Sequence, residues 1–317
     1  MNDEQKAIMQ QAWDLLGQGN LREAEQTAHR AISHKHEVTT PPLPDIAILK
    51  AFLLCRLGQY RKAHDLFRDI LEACPDDAYA QEGLLLALRD LLNKESPETG
   101  QPPAQQRLLL GLGTGRSGST SLTKLLRHQP GTFCAHEFPP RLSWSENHSR
   151  FGFHRRRFET LLAHFSTVAD VSHWWLPYAD LILETFDEVR FIALKRDREA
   201  TIRSFLRIKG GGGQGSINHW TDHDGSFWQK NPWDECYPSL AAETVEAGIG
   251  LYWDQYYADV DALAQRAPDS VRVFATEDLS NPDTQRDLLT FCGFTEPQTI
   301  DDLRLNVGNV ADGLELR

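Results

Sequence analysis

A run of small residues near the middle of the chain has the composition of a phosphate-binding turn. It reads Gly113-Thr114-Gly115-Arg116-Ser117-Gly118-Ser119-Thr120-Ser121 and lies between an apolar segment and an amphipathic one. Glycines allow backbone conformations that aim several N–H groups inward, and the start of a helix adds partial positive charge, so the turn can hold an anion. The residues expected to bind it are Gly115, Arg116, Ser117, Gly118, Ser119, Thr120 and Ser121.

The same run departs from the loop of ordinary nucleoside-triphosphate enzymes. That loop reads Gly-x-x-x-x-Gly-Lys-Ser/Thr, and its lysine contacts the outer phosphates. When Gly113 and Gly118 are taken as the two glycines, Ser119 occupies the lysine position and the cation of the run is Arg116. The departure disfavours a nucleotide-dependent kinase or other P-loop phosphotransferase, which stays an alternative function.

Three apolar runs separated by helical segments predict the elements that position this turn. They are residues 107–113, 189–195 and 270–274. Short continuous apolar runs are typical of strands that are buried on both faces of a parallel sheet, and strands that alternate with helices indicate an α/β fold. We therefore expect a P-loop-like, three-layer α/β domain with a parallel sheet over residues 107–317.

The first 92 residues read as helices and contain an internal repeat. Gly19-Asn20-Leu21-Arg22-Glu23-Ala24 is echoed by Gly58-Gln59-Tyr60-Arg61-Lys62-Ala63. This pattern resembles the tetratricopeptide repeat, which implies a small all-α helical-repeat domain over residues 1–92. Its expected role is to bind a protein partner, or else to serve as a lid or dimer surface. Residues 93–106, with Pro97, Gly100, Pro102 and Pro103, read as a linker.

The phosphate-binding turn resembles the 5′-phosphosulfate loop of sulfotransferases, in which a basic residue precedes Ser-Gly-Thr/Ser-Thr. Arg116-Ser117-Gly118-Ser119-Thr120 matches that pattern. The arginine version is more similar to the glycan and tyrosyl-protein branches than to the cytosolic small-molecule branch, which usually has lysine. The resemblance covers residues 107–294 and implies that 3′-phosphoadenosine 5′-phosphosulfate is the sulfuryl donor.

A second part of the donor site is implied by the same resemblance. Sulfotransferases bind the nucleotide 3′-phosphate with an arginine at a strand end and a serine eight residues later, and Arg196 and Ser204 have that spacing. A guanidinium and a hydroxyl from the next helix suit a phosphate dianion.

Sulfuryl transfer also needs a group that takes the acceptor's proton and groups that stabilise the departing phosphate. Arg116 and the loop amides are expected on the leaving side. Glu137 is the preferred base, since glycan-type sulfotransferases similarly place a glutamate after the second strand, and His136 is its rival. Neighbouring side chains on an extended segment face opposite ways, so only one of the two is expected to point at the acceptor. A structural ion pair or a helix cap is the alternative role for Glu137.

The acceptor side is expected in a glycine-rich segment. Lys209-Gly210-Gly211-Gly212-Gly213-Gln214-Gly215-Ser216 leads into a stretch that is rich in Trp and His, so the segment is either a lid over a small-molecule or glycan acceptor or a surface loop. His219, Asp222, His223 and Asp224 fit no standard metal-site spacing, and the chemistry requires no metal, so none is expected.

Composition limits the remaining function classes. The net charge of −12 argues against a general nucleic-acid binder, and no stretch approaches the roughly 20 apolar residues that cross a bilayer. Five scattered cysteines and an acidic beginning of the chain predict a reducing, cytoplasmic location without export. A non-catalytic adaptor that senses a nucleotide is the third reading of the chain.

Overall fold

A computed structural model describes residues 3–24, 26–27, 44–95, 105–145, 148–209, 234–238, 240, 242–301 and 303. The chain divides into two compact units. The first comprises Met1–Gly100 together with Gly152–Thr160, and the second comprises Gln101–Phe151 and Leu161–Arg317. The boundaries predicted at residues 92 and 107 remain predictions.

The first unit is helical where it is described. Its helices include α1 (Asp3–Gly17), α2 (Pro44–Arg56), α3 (Tyr60–Ala73) and α4 (Ala78–Glu95), and residues 21–24 and 26–27 are also helical. Helix α4 runs three residues past the predicted end of the helical region at residue 92.

The repeated glycines of this unit end two helices in the same way. Gly19 has a φ of 80° and Gly58 a φ of 70°, a left-handed conformation that glycine adopts without strain. The Gly19 N–H donates to Leu16 O at 3.1 Å, and the Gly58 N–H donates to Cys55 O at 3.0 Å. The sequence repeat is therefore a repeat of helix-ending turns.

Close helix packing in this unit also depends on Gly83. It lies in the buried face of α4, and the ring of the fully buried Phe67 from α3 packs against its Cα. A methyl group at residue 83 would overlap that ring, so the two helices could not keep their present distance.

Gly83→Ala is expected to lower the free energy of unfolding of the full chain because it overpacks the α3–α4 contact, at a cost of about 2–3 kcal/mol for so close an overlap. The gain in helix propensity, about 1 kcal/mol, opposes this loss without cancelling it. Urea denaturation measures the change. Gly17→Ala is the control, since a methyl group there meets nothing within 4 Å and should not reduce stability; an equal effect of the two substitutions would contradict the packing argument.

The second unit contains a five-stranded parallel sheet. Its strands are β1 (Arg107–Leu112), β2 (Thr132–His136), β3 (Thr167–Val171), β4 (Val189–Lys195) and β5 (Val271–Ala275), in the order β2-β3-β1-β4-β5. Every pairing is parallel. Leu108, Leu109 and Leu110 of the central strand are almost completely buried, as the apolar run predicted. The last predicted strand begins and ends one residue later than expected.

Helices connect and flank these strands. They are α5 (Ser119–Arg127), α7 (Ala179–Thr185), α8 (Arg198–Lys209), α9 (Val245–Arg266) and α10 (Pro282–Phe291). Helix α6 (His148–Leu162) is divided, since its residues Gly152–Thr160 belong to the first unit. Short 3₁₀ helices span His173–Tyr178, Asp234–Cys236 and Thr276–Ser280. The predicted fold class, a P-loop-like α/β domain with a parallel sheet and a preceding helical region, is confirmed.

The topology determines where a site can form. From β1 the chain first builds β2 and β3 on one side and then β4 and β5 on the other. In such sheets ligands bind beyond the carboxyl ends of the strands where the winding reverses. That position is the end of β1, where the phosphate-binding turn begins. None of the helices in the described ranges is long and apolar enough to span a membrane.

Candidate active site

The turn between β1 and α5 is built around glycines that no larger residue could replace. Gly118 is the N-cap of α5 and has a φ of 90°; a Cβ there would approach Thr276 Cγ2 to 2.9 Å. A Cβ on Gly113 would overlap Ser117 Oγ. The turn is therefore closed tightly on itself and on the 3₁₀ helix that follows β5.

Inside the turn, the Ser117 hydroxyl is buried and has no hydrogen-bond partner among the described residues. The Ser117 carbonyl accepts from Thr276 Oγ1 at 2.7 Å, which fixes the backbone at this point. A buried hydroxyl normally has a partner, so its position inside the turn fits an anion that would supply one. Together with the start of α5, this observation fits the turn to a phosphate-like group.

Two non-glycine residues have a positive φ in the part of the chain that the structure describes, and both were predicted to be catalytic. Arg116 has a φ of 56° and Glu137 a φ of 50°. Each such conformation costs about 1–2 kcal/mol relative to ordinary backbone, and strained residues of this kind concentrate at functional sites.

Arg116, Arg196 and Ser204 are in direct contact. Arg116 Nε donates to Ser204 Oγ at 3.2 Å, and Arg196 Nη1 donates to Arg116 O at 2.9 Å. The strand β4 carries Arg196 just past its end, and α8 carries Ser204 on its buried side. The structure thus joins the predicted second part of the site to the turn.

A third arginine, which the sequence reading missed, adds to this charge. Arg207 lies one helical turn after Ser204 on α8. Partial burial lowers the pKa of the Arg116 guanidinium, and the charges of Arg196 and Arg207 lower it further. Tyr237 and Glu137 raise the pKa of Arg116 and so oppose this decrease.

Arg116, Arg196 and Arg207 bring three positive charges together. In the described ranges, no carboxylate forms an ion pair with Arg116, Arg196 or Arg207. By contrast, Arg198 binds both carboxylate oxygens of Asp254 at 2.9 Å. Like charges held together without counterions make a site that attracts a polyanion.

His136 and Glu137, the two candidate bases, point to different neighbours. His136 Nε2 lies 2.9 Å from Ser119 Oγ at the start of α5, so its ring contacts the turn itself. Glu137 Oε1 lies 3.9 Å from His173 Nδ1, and three quarters of the Glu137 side chain is shielded from solvent. The expectation that they face opposite ways assumed an extended backbone, whereas Glu137 lies just past β2 and has a positive φ, so which of the two points at the acceptor remains a prediction.

His173 lies beside the preferred base, Glu137. Its Nε2 is 3.1 Å from Cys236 O, and because a carbonyl only accepts, Nε2 carries a hydrogen. Its other ring nitrogen, Nδ1, is the one that lies 3.9 Å from the Glu137 carboxyl group.

Tyr237 covers this pair. Its ring stacks on His173 with centroids 4.3 Å apart and planes inclined by 19°. Burial raises the pKa of the Tyr237 hydroxyl well above its ordinary value, and the charge of Glu137 adds to the increase. The hydroxyl therefore stays protonated near neutral pH and can donate a hydrogen bond at this site.

The structure brings most of the predicted residues into one site. The contacts above join Arg116 to Arg196 and Ser204, and His136 to Ser119. The turn itself and the first turn of α5 carry the others, which are Gly115, Ser117, Gly118, Thr120 and Ser121. Most of the glycine-rich segment, with the aromatic stretch and the His219–Asp224 group that follow it, lies outside the described residues. Within the described ranges there is no group of three or more His, Cys, Asp or Glu side chains that could hold a metal ion.

Because Arg207 lies beside the Arg116–Ser204 contact, inorganic pyrophosphate is expected to raise the Tm of the protein, and Arg207→Ala should reduce that increase. Differential scanning calorimetry with and without pyrophosphate measures both. Arg190→Ala is the control with the same change of charge. Arg190 lies at the opposite end of β4 from Arg196, and at about 3.3 Å of strand per residue the two residues are roughly 20 Å apart. An identical pyrophosphate response in both variants would remove Arg207 from the site.

Comparisons with known proteins leave the function open. No protein-family model matches the chain, and no curated protein matches it. Among solved structures, the chain is similar to the sulfotransferase domain of the olefin synthase from Synechococcus PCC 7002. The identity is 17%, the TM-score is 0.38, and the match covers 65% of this chain and 79% of that one. A similarity of this size does not assign an activity.

Proposed function

We propose that the chain is a sulfotransferase that moves a sulfuryl group from 3′-phosphoadenosine 5′-phosphosulfate to a hydroxyl or amine of a small-molecule or glycan acceptor. The observation that carries the proposal is the contact of Arg116 with Ser204 and Arg196 beside an anion-binding turn. One cationic site thereby spans the turn and the end of β4. A ligand with phosphate groups at two separate positions suits it.

The two parts of the site would hold the two ends of the donor. The turn, with Arg116, the Ser117 hydroxyl and the start of α5, would bind the 5′-phosphosulfate. Arg196, Ser204 and Arg207 would bind the 3′-phosphate. When bound, the donor supplies the sulfuryl group, whose sulfur–oxygen bond to phosphate breaks as the bond to the acceptor forms. Arg116 and the loop amides would stabilise the charge left on that phosphate.

On the acceptor side, Glu137 would take the proton from the attacking hydroxyl or amine. Its neighbour His173, which is fully buried, lies 3.9 Å away and can stabilise the carboxylate or share the proton. Tyr237, stacked on His173, would exclude water from this side. His136 keeps the alternative role of base, since its ring contacts Ser119 of the turn.

The remaining expectations accompany this proposal. We also propose that the protein is cytoplasmic and that its N-terminal helical repeats bind a protein partner. The kinase and the adaptor readings differ from it in a measurable way: the first requires magnesium-dependent ATP turnover, and the second requires nucleotide binding that is indifferent to Glu137 and His136.

Arg116→Ala and Arg196→Ala are each expected to weaken binding of adenosine 3′,5′-bisphosphate by about 1–3 kcal/mol, because each removes a charge-assisted contact. Fluorescence titration of the full chain measures the affinity, and Arg190→Ala is the control with the same charge change. If both variants bind as tightly as the unmodified protein, the proposed donor site is wrong.

Glu137→Gln should leave bisphosphate affinity unchanged and reduce turnover at least 100-fold, on the order expected for loss of a general base. Turnover is measured as transfer of labelled sulfate from the donor into a mixture of glycans, phenols and amines. His136→Gln is the matched comparison. A larger loss of turnover in His136→Gln than in Glu137→Gln would transfer the role of base to His136.

A further inference from the structure

Strands β1 and β3 separate at the point where the site begins. Their last ladder hydrogen bond runs from the Ser172 N–H to Gly111 O at 3.0 Å. In a continuing parallel ladder the next donor of β1 would be the Gly113 N–H, and its acceptor would lie on the neighbouring strand. That rung is missing, because the chain turns into the phosphate-binding turn on one side and into the His173–Tyr178 helix on the other.

A side chain from a different element takes the place of the missing rung. The Tyr256 hydroxyl, from α9, accepts from the Gly113 N–H at 2.9 Å and donates to His173 O at 3.1 Å. It therefore joins the first amide of the turn to the residue that faces Glu137. One hydroxyl thus contacts a backbone N–H of the turn and a backbone carbonyl of the 3₁₀ helix.

This bridge is built to keep its geometry. Tyr256 is fully buried, and burial raises the pKa of its hydroxyl well above the ordinary value, so the proton needed for the bond to His173 is retained. The same helix is also hydrogen-bonded to the end of β4, the strand on the other side of β1 from β3. Tyr257 donates to Leu194 O at 2.6 Å, and Trp253 Nε1 donates to Arg196 O at 3.1 Å.

We propose that the Tyr256 hydroxyl is a positioning group that couples occupancy of the anion-binding turn to the placement of His173, and through it to Glu137. This inference rests on the proposed function, since it assumes that the turn binds the nucleotide. Coupling between sites is carried by hydrogen-bonded networks and rigid elements of this kind. The hydroxyl would set the distance between the donor phosphates and the group that takes the acceptor's proton.

The test is nuclear magnetic resonance on the full chain with ¹³C-labelled histidine, with the His173 ring signal assigned through His173→Gln. Addition of adenosine 3′,5′-bisphosphate is expected to shift that signal. In Tyr256→Phe, which removes the hydroxyl and keeps the ring, most of the shift should be lost while the bisphosphate still binds. Tyr178→Phe is the control: Tyr178 is equally buried and its hydroxyl donates to Ser143 O at 2.9 Å, away from the turn, so the shift should be retained.

Four results would overturn the inference. An equal shift in the unmodified protein and in Tyr256→Phe would show that the nucleotide acts on His173 without the hydroxyl. No His173 shift in unmodified protein that binds the bisphosphate would show that there is no coupling, whether or not Tyr256→Phe folds. Loss of bisphosphate binding in a folded Tyr256→Phe would show that the hydroxyl is needed to form the turn itself and does not couple the turn to His173. Absence of bisphosphate binding in the unmodified protein would contradict the proposed function itself and the coupling with it.

Discussion

A cluster of positive charge that is paired with no carboxylate of the described residues is the constraint on which the site depends. The chain carries a net charge of −12, and yet Arg116, Arg196 and Arg207 gather at the end of the central strands with no carboxylate paired to them in the described ranges. Mutual repulsion makes such a cluster unfavourable unless an anion binds there. Carboxylates are available nearby, since Asp254 pairs with Arg198, two residues from Arg196. Among the described residues, the fold thus leaves the three arginines without a paired carboxylate.

The rest of the second unit holds this cluster in place. Strands β1 and β4 are neighbours, so they place the turn beside Arg196. Helix α8 adds Ser204 and Arg207. Arg116 and Glu137 both have strained backbone conformations. In the reaction that we propose, Arg116 stabilises the leaving phosphate and Glu137 takes the proton of the acceptor. Strain of roughly 1–2 kcal/mol per residue persists only where the surrounding contacts determine the backbone, as Thr276 does at Ser117.

Local features of the sequence predicted much of this arrangement. The apolar runs located β1 and β4, because strands buried on both faces leave a continuous apolar signature, and glycine spacing located the turn. His173 and Tyr256 were missed as site residues because their roles arise from contacts across the fold: Tyr256 is 143 positions from Gly113 and 83 from His173. Nothing in a tyrosine-rich helix shows which hydroxyl will replace a rung of the sheet. The Tyr-Trp-Asp-Gln-Tyr-Tyr run at residues 252–257 was the available signal, since its aromatic spacing marks one buried helix face.

Calorimetric titration of the unmodified protein with adenosine 3′,5′-bisphosphate tests the central claim most directly, with adenosine 5′-phosphate and magnesium ATP as comparisons. A site made of Arg116, Arg196, Ser204 and Arg207 predicts that the bisphosphate binds much more tightly than adenosine 5′-phosphate, because only the bisphosphate carries a 3′-phosphate. Equal binding of those two ligands, or a preference for magnesium ATP, would contradict the account.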